Sequence, residues 1–345
     1  IFPSSTGILP PVCTITNQVT ALTLNKVLPN DNGGTKTGAD FVLSATPAAG
    51  GAAVINKADP AVNDPAVGAS ALVTAGTYTL AETPASTTGY TTSAWTCVDG
   101  ATGASVSVSA TKQVTIAEGQ NVVCSITNDD IPAKLTLVKT VTNDNGGTAA
   151  ASAWTLSATG PVTLSGPTGT SGDVSAGTYT LSESGGPAGY TAGTWSCALT
   201  NTPATPVTVT SGAVSLTLGQ DVTCTINNND QTSTLVLDKV LTNDNGGTAT
   251  SDQFVLTATG TAGTPAAATT SSGGDTNPAA GSSLSFTVNA GEYTLSEAQL
   301  AGYTAGTWTC TGATLTGTTL VIPNGVTVTC TINNNDQTST LVLDK

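Results

Sequence analysis

A block of roughly one hundred residues recurs three times in this chain, and that periodicity constrains the fold more than any other feature. The string Asn-Asp-Asn-Gly-Gly-Thr stands at 30–35, 143–148 and 243–248. Each copy follows a short apolar segment ending in lysine, Leu22–Lys26, Leu135–Lys139 and Leu235–Lys239, and a fourth such segment, Leu341–Lys345, closes the sequence. Further along each block come Ala-Gly-(Thr/Glu)-Tyr-Thr-Leu-(Ala/Ser)-Glu, ending at Glu82, Glu183 and Glu297, then a Gly-Tyr pair, then Trp-x-Cys. Each block ends in Cys-(Thr/Ser)-Ile-(Thr/Asn)-Asn, at Cys124–Asn128, Cys224–Asn228 and Cys330–Asn334, and a lone copy of that ending stands at Cys13–Asn17.

The division read from these landmarks has five parts. Residues 1–20 are the closing strand of a preceding repeat, 21–133, 134–233 and 234–339 are three complete repeats, and 340–345 is the opening strand of a following one. Within a repeat, segments of four to eight residues alternate apolar and small polar types between Gly, Pro, Asn and Asp, and no stretch carries a helical period. The expected fold class is all-β: tandem Ig-like β-sandwiches, joined by short linkers that favour an extended rod.

Composition removes whole classes of function. Of 345 residues only 9% are charged, against an average near 25%, and the formal charge is −14. There is no histidine and no arginine. A Ser-His-Asp triad and a His-ligated zinc are therefore excluded, and nucleic acid is not an expected partner of so acidic a chain. No apolar run is long enough to span a membrane as a helix. No cofactor is expected, and no enzyme acting on an external substrate.

Six of seven cysteines fall in phase, Cys97 with Cys124, Cys197 with Cys224 and Cys310 with Cys330, so each repeat can close its own disulfide. Paired structural cysteines imply an oxidising compartment. Cys13 is left unpaired.

The scarce charges are also in phase. Lys26, Lys139, Lys239 and Lys345 share one repeat position, and three of the five glutamates, Glu82, Glu183 and Glu297, share another. Strand parity puts Lys139 on the face of Leu135 and Leu137, Glu183 on that of Tyr179 and Leu181, and Asn228 on that of Cys224 and Ile226. If those faces point inward, a lysine, a glutamate and an asparagine are buried together, which is costly unless they pair or lose charge. One reading is a buried Lys–Glu ion pair with an asparagine hydrogen bond. The other is chemistry: a desolvated, neutral amine attacks the asparagine amide while a protonated glutamate polarises its carbonyl, giving an isopeptide bond and ammonia.

These features resemble the Cna B-type (SpaA-like, prealbumin-fold) repeats of bacterial surface proteins, over nearly the whole chain. The resemblance implies triads of Lys26, Glu82 and Asn128, of Lys139, Glu183 and Asn228, and of Lys239, Glu297 and Asn334. Asn227 and Asn333 sit beside two of those asparagines and leave the choice open.

Weaker signals remain. Asn-Asp-Asn-Gly-Gly is first a tight-turn sequence, though Asp31, Asp144 and Asp244 make it a weak Ca²⁺ candidate. Phe41, Trp154 and Phe254, and also Trp95, Trp195 and Trp308, read as core aromatics. The expected role is a stalk or fibre segment of a secreted bacterial surface protein, extracellular, with neighbouring repeats or identical subunits as partners and any host ligand unspecified. Two rivals are a filament subunit joined by strand exchange between chains, and a ligand-binding adhesin module using the inserts at 49–70 or 260–282.

Overall fold

The computed structural model describes residues 19–63, 68–261 and 284–344. Cys13, the segment Cys13–Asn17, Lys345 and nearly all of the 260–282 insert lie outside them. Contacts divide the chain into two compact units. One is Ile1–Lys134 with Asp173–Gly177 and Leu216–Asp221, and the other is the remainder.

The described residues form strands and turns, with three single-turn 3₁₀ segments and no α-helix. The strands make three pairs of sheets. In the first repeat one sheet runs in the order Ala69–Leu72, Ala21–Val27, Asn121–Asp130, Thr96–Asp99, Ser105–Val106, with Tyr90–Thr92 also on Asn121–Asp130. The facing sheet runs Ile55–Ala58, Val42–Pro47, Gly76–Thr83, Gln113–Ile116. The second and third repeats repeat this plan, with opening strands Ala133–Thr142 and Ser233–Thr242 beside closing strands Asp221–Asp230 and Thr327–Asp336.

Alternation makes each sheet two-faced, as a half-buried strand requires. In Asn121–Asp130 every second residue, Val122, Cys124, Ile126, Asn128 and Asp130, is buried. Leu22, Leu24, Leu43, Leu80, Tyr78, Val114, Val122 and Ile126 fill the space between the sheets of the first repeat, and the third repeat has the same core. The opening and closing strands run parallel, Lys26 opposite Ile126 and Lys239 opposite Ile332.

The disulfides Cys97–Cys124, Cys197–Cys224 and Cys310–Cys330 each join residues directly opposite on neighbouring strands of one sheet. They do not clamp sheet to sheet as in an antibody sandwich. Thr340–Asp344 form no strand, with Leu341, Val342 and Leu343 exposed. The same sequence at 234–239 forms a strand because it lies between two others in a sheet.

Candidate functional site

Lysine and glutamate meet in each repeat, and in the second and third repeats the asparagine joins them, from three strands in two sheets. The lysine is on the opening strand and the asparagine on the closing strand beside it. The glutamate comes from the facing sheet, on Gly76–Thr83, Gly177–Gly185 or Gly291–Glu297. Parity puts all three between the layers.

Lys26 Nζ lies 2.8 Å from Glu82 Oε1, Lys139 Nζ 2.8 Å from Glu183 Oε2, and Lys239 Nζ 2.8 Å from Glu297 Oε1. The lysine side chains are 0%, 0% and 5% exposed, so these are interior charges. In the second repeat the other carboxylate oxygen, Glu183 Oε1, accepts a hydrogen bond from Asn228 Nδ2 at 2.8 Å. In the third, Glu297 Oε2 accepts from Asn334 Nδ2 at 2.8 Å. One carboxylate thus bridges the amine and the amide. In the first repeat Asn128 is fully buried, yet its amide has no hydrogen-bond partner among the described residues.

The lysine contacts are ion pairs at short distance. Among the described residues the amide oxygens of Asn128, Asn228 and Asn334 have no hydrogen-bond donor. Burial drives the pKa of Lys26 and Lys239 below the ordinary lysine value, although the hydrogen-bonding and charge attraction of Glu82 and Glu297 pull the other way. The direction favours the neutral amine, the nucleophilic form.

The aromatic residues starting the second strand have a role beyond filling the core. Lys26 Nζ sits 4.2 Å from the ring centre of Phe41, Lys139 Nζ 4.9 Å from Trp154, and Lys239 Nζ 4.5 Å from Phe254. Each ring screens the amine from water and offers its π face. The in-phase recurrence at 41, 154 and 254 was the available signal. Trp95 and Trp308 are buried as expected of core residues, whereas Trp195 is only partly buried.

Asn227 and Asn333 point the other way. Asn227 bonds the hydroxyls of Thr140 and Thr142, and Asn333 bonds that of Thr242, all on the outer face. Only Asn228 and Asn334 reach the carboxylates.

A second polar cluster, not anticipated from sequence, pins the Asn-Asp-Asn-Gly-Gly turn. Asp230, the last residue of its closing strand, accepts the backbone N–H groups of Asp144, Asn145 and Gly147 at 3.0, 2.8 and 2.7 Å. Asp336 does the same for Asp244, Asn245 and Gly247, and Asp130 for Asn32 and Gly34. The tyrosine of the Gly-Tyr pair holds the other side: Tyr90, Tyr190 and Tyr303 donate to Asn30, Asn143 and Asn243 Oδ1 at 2.8, 2.6 and 2.7 Å. Burial of the three aspartates works to raise their pKa, but these donors outweigh it and the net direction is down.

Asp31, Asp144 and Asp244 are exposed and each accepts a hydrogen bond from the following asparagine side chain. Asp31 approaches Asp129 and Asp130 in the first repeat. The residues matching Asp129 are Asn229 and Asn335, so that grouping is not repeated.

The family model for the prealbumin-like fold domain matches three times, at residues 17–126, 130–226 and 230–332. The chain belongs to this family. No curated protein matches it. Among solved structures, the TIE protein of Bacillus anthracis is 14% identical, with a TM-score of 0.49, over 92% of this chain and 51% of that one. The pilus adhesin SpaC of Lactobacillus rhamnosus GG is 16% identical, with a TM-score of 0.29, over 92% and 44%. The major pilin of Streptococcus pyogenes is 15% identical, with a TM-score of 0.28, over 63% and 99%. The chain thus spans about half the length of the first two. Among the described residues no helix is long and apolar enough to cross a membrane.

Proposed function

We propose that this chain is a structural segment, a stalk or fibre, of an extracellular bacterial surface protein, and that each repeat is closed by a Lys–Asn isopeptide bond besides its disulfide. The observation that carries the chemistry is the single carboxylate of Glu183, and of Glu297, held at 2.8 Å from both the lysine amine and the asparagine amide. The three cross-strand disulfides support an oxidising location.

The reaction balances without a co-reactant. The neutral lysine Nζ attacks the asparagine Cγ. A protonated glutamate donates to Oδ1 as the tetrahedral centre forms, which requires the amide to turn over from its present Nδ2-to-carboxylate orientation. The glutamate then carries a proton from Nζ to Nδ2. The Cγ–Nδ2 bond breaks, ammonia leaves, and the Oδ1 proton returns to the glutamate as the carbonyl re-forms, so the glutamate ends protonated as it began. Each site turns over once, so the protein is read as structural and not as an enzyme. No resident metal is invoked.

Intact mass of the reduced, denatured chain tests this directly. A mass short by one ammonia per repeat is expected, with cross-linked peptides containing Asn128, Asn228 and Asn334. The unshifted mass would leave three buried ion pairs and no bond.

A further inference from the structure

Identical turns in the three repeats differ in what they touch. Gly146 has φ +89°, and a methyl group on it would collide with the backbone of Ala290. Beside it, Asn145 O accepts the N–H of Ala290 at 2.9 Å. A second contact lies at the glycine of the Gly-Tyr pair. Gly189, φ +84°, abuts Asn324, whose Nδ2 donates to Gly189 O at 2.6 Å. Both contacts lie within the second compact unit, and both join the second repeat to the third.

The first unit contains the same two contacts. Asn32 O accepts the N–H of Ala176 at 2.8 Å, and a methyl group on Gly33 would lie 2.7 Å from Ala176 O. A methyl group on Gly89 would lie 2.7 Å from Leu218 Cβ. Ala176 and Ala290 are the same residue of the Ala-Gly turn in successive repeats, and Leu218 and Asn324 are both in the turn before the closing strand.

The third repeat has the same backbone with nothing against it among the described residues. Gly246, φ +93°, and Gly302, φ +84°, have no described heavy atom beyond their chain neighbours within 4 Å of where a side chain would begin. The face is nevertheless formed. Asp336 holds its turn, and Gly302 O accepts Gln337 N at 2.8 Å as Gly189 O accepts Gln231 N at 2.8 Å. The Ala-Gly turns complement this: Ala290 is buried, Ala176 half-buried, and Ala75, its counterpart in the first repeat, exposed.

We propose that the Asn-Asp-Asn-Gly-Gly turn, with the glycine of the Gly-Tyr pair, is a docking face for the Ala-Gly turn of a neighbouring repeat. The open copy at Asn245, Gly246 and Gly302 takes the Ala-Gly turn of a further repeat of this same type. The motif therefore needs glycine twice over: for a positive φ and for a backbone that approaches within hydrogen-bonding distance. The inference does not depend on the Lys–Asn bond.

Amide hydrogen exchange on the whole chain tests it, because Gly246 is a built-in control. Gly146→Ala and Gly246→Ala impose the same backbone strain, but only the first meets a neighbour. In the unaltered chain the Ala290 amide should exchange at least tenfold more slowly than the Ala75 amide. Gly146→Ala should remove that protection while the Gly147 amide, bound to Asp230, keeps its own, and Gly246→Ala should leave Ala290 unchanged. In a chain lengthened after Lys345 by a copy of residues 240–339, Gly246→Ala should become as damaging to the new Ala-Gly amide as Gly146→Ala is to Ala290. Ala290 protection surviving Gly146→Ala, or lost equally in Gly246→Ala, would overturn the docking role. A silent Gly246→Ala in the lengthened chain would overturn the assigned partner.

Discussion

Lys239 and Asn334 are not opposite one another across the parallel strand pair: Lys239 is in register with Ile332, and Asn334 with Leu241. The same two-residue offset separates Lys26, opposite Ile126, from Asn128. An offset of two keeps both side chains on the inner face. In the second and third repeats the glutamate of the facing sheet contacts both the lysine and the asparagine. Glu183→Gln removes the proton carrier from one repeat only. If the bonds form as proposed, the expected intact mass, after allowing for the small loss on changing Glu to Gln, is one ammonia heavier than that of the parent chain, with the other two bonds intact. The Lys139 ammonium then lacks its counter-charge, and the second repeat should lose about 3–5 kcal/mol beyond the lost cross-link. Mass spectrometry and calorimetry read the two effects separately.

Phe254→Ala exposes Lys239 from the side of its ring. Truncating a buried aromatic costs about 3–5 kcal/mol, and water reaching Nζ weakens the burial that lowers the pKa of Lys239. The third repeat should then melt earlier and cross-link more slowly. A time course of ammonia loss after refolding from the unlinked state measures this, and an unchanged rate would remove the ring from the reaction.

The disulfides close loops of 27, 27 and 20 residues, each adding about 3 kcal/mol on a chain-entropy account. If the proposed Lys–Asn bonds form, reduction of the parent chain should lower its melting temperature only modestly, because the opening and closing strands stay joined. Reduction of a chain carrying Glu82→Gln, Glu183→Gln and Glu297→Gln should cost far more. Thermal melts with and without reductant compare them.

The aspartate-held turns should be the acid-sensitive part of each repeat. Asp130, Asp230 and Asp336 have pKa values lowered in the fold. Their contribution is therefore present above the unfolded carboxylate value, about 3.9, and is lost as pH falls through the lower folded values. Exchange at the Gly34, Gly147 and Gly247 amides, after correction for intrinsic rates, should accelerate below that range. Asp230→Asn should reproduce the effect at neutral pH in the second repeat alone, at about 1–3 kcal/mol.

Tyr190→Phe removes the hydroxyl that donates to Asn143 and accepts from the N–H of Ala149. A loss of about 1–2 kcal/mol is expected, read by denaturant melts. The same variant should loosen exchange at Ala149.

Much of this was legible in sequence because the repeat supplies its own internal comparison. Lys26, Lys139 and Lys239 stand out as in-phase charges in a chain poor in charge, and parity alone places them inward. Parity cannot say which strands pair. That Glu82 comes from the facing sheet while Asn128 comes from the neighbouring strand depends on topology. The choice of Asn228 over Asn227 was open for a related reason: adjacent residues differ only in face, and the face is fixed by the register with Ala133–Thr142. The turn-holding role of Asp130, Asp230 and Asp336 was not legible, because a backbone N–H leaves no mark in a sequence. The rings at 41, 154 and 254 were assigned to the core for their hydrophobicity, and nothing in their spacing showed that a lysine lay over them.

The parallel pairing of first and last strands has a mechanical consequence. A pull on the two ends of a repeat loads that pair in shear, with all its hydrogen bonds resisting together. If the proposed bond joins Lys26 to Asn128, tension passes along six residues of the opening strand, Ala21–Lys26, across one amide, and out through the end of the closing strand. Residues 27–127 hang beside that route and carry none of the force. Each repeat then holds its whole core as slack that a covalent bond forbids it to pay out, and its length under tension is fixed by the chain outside the loop.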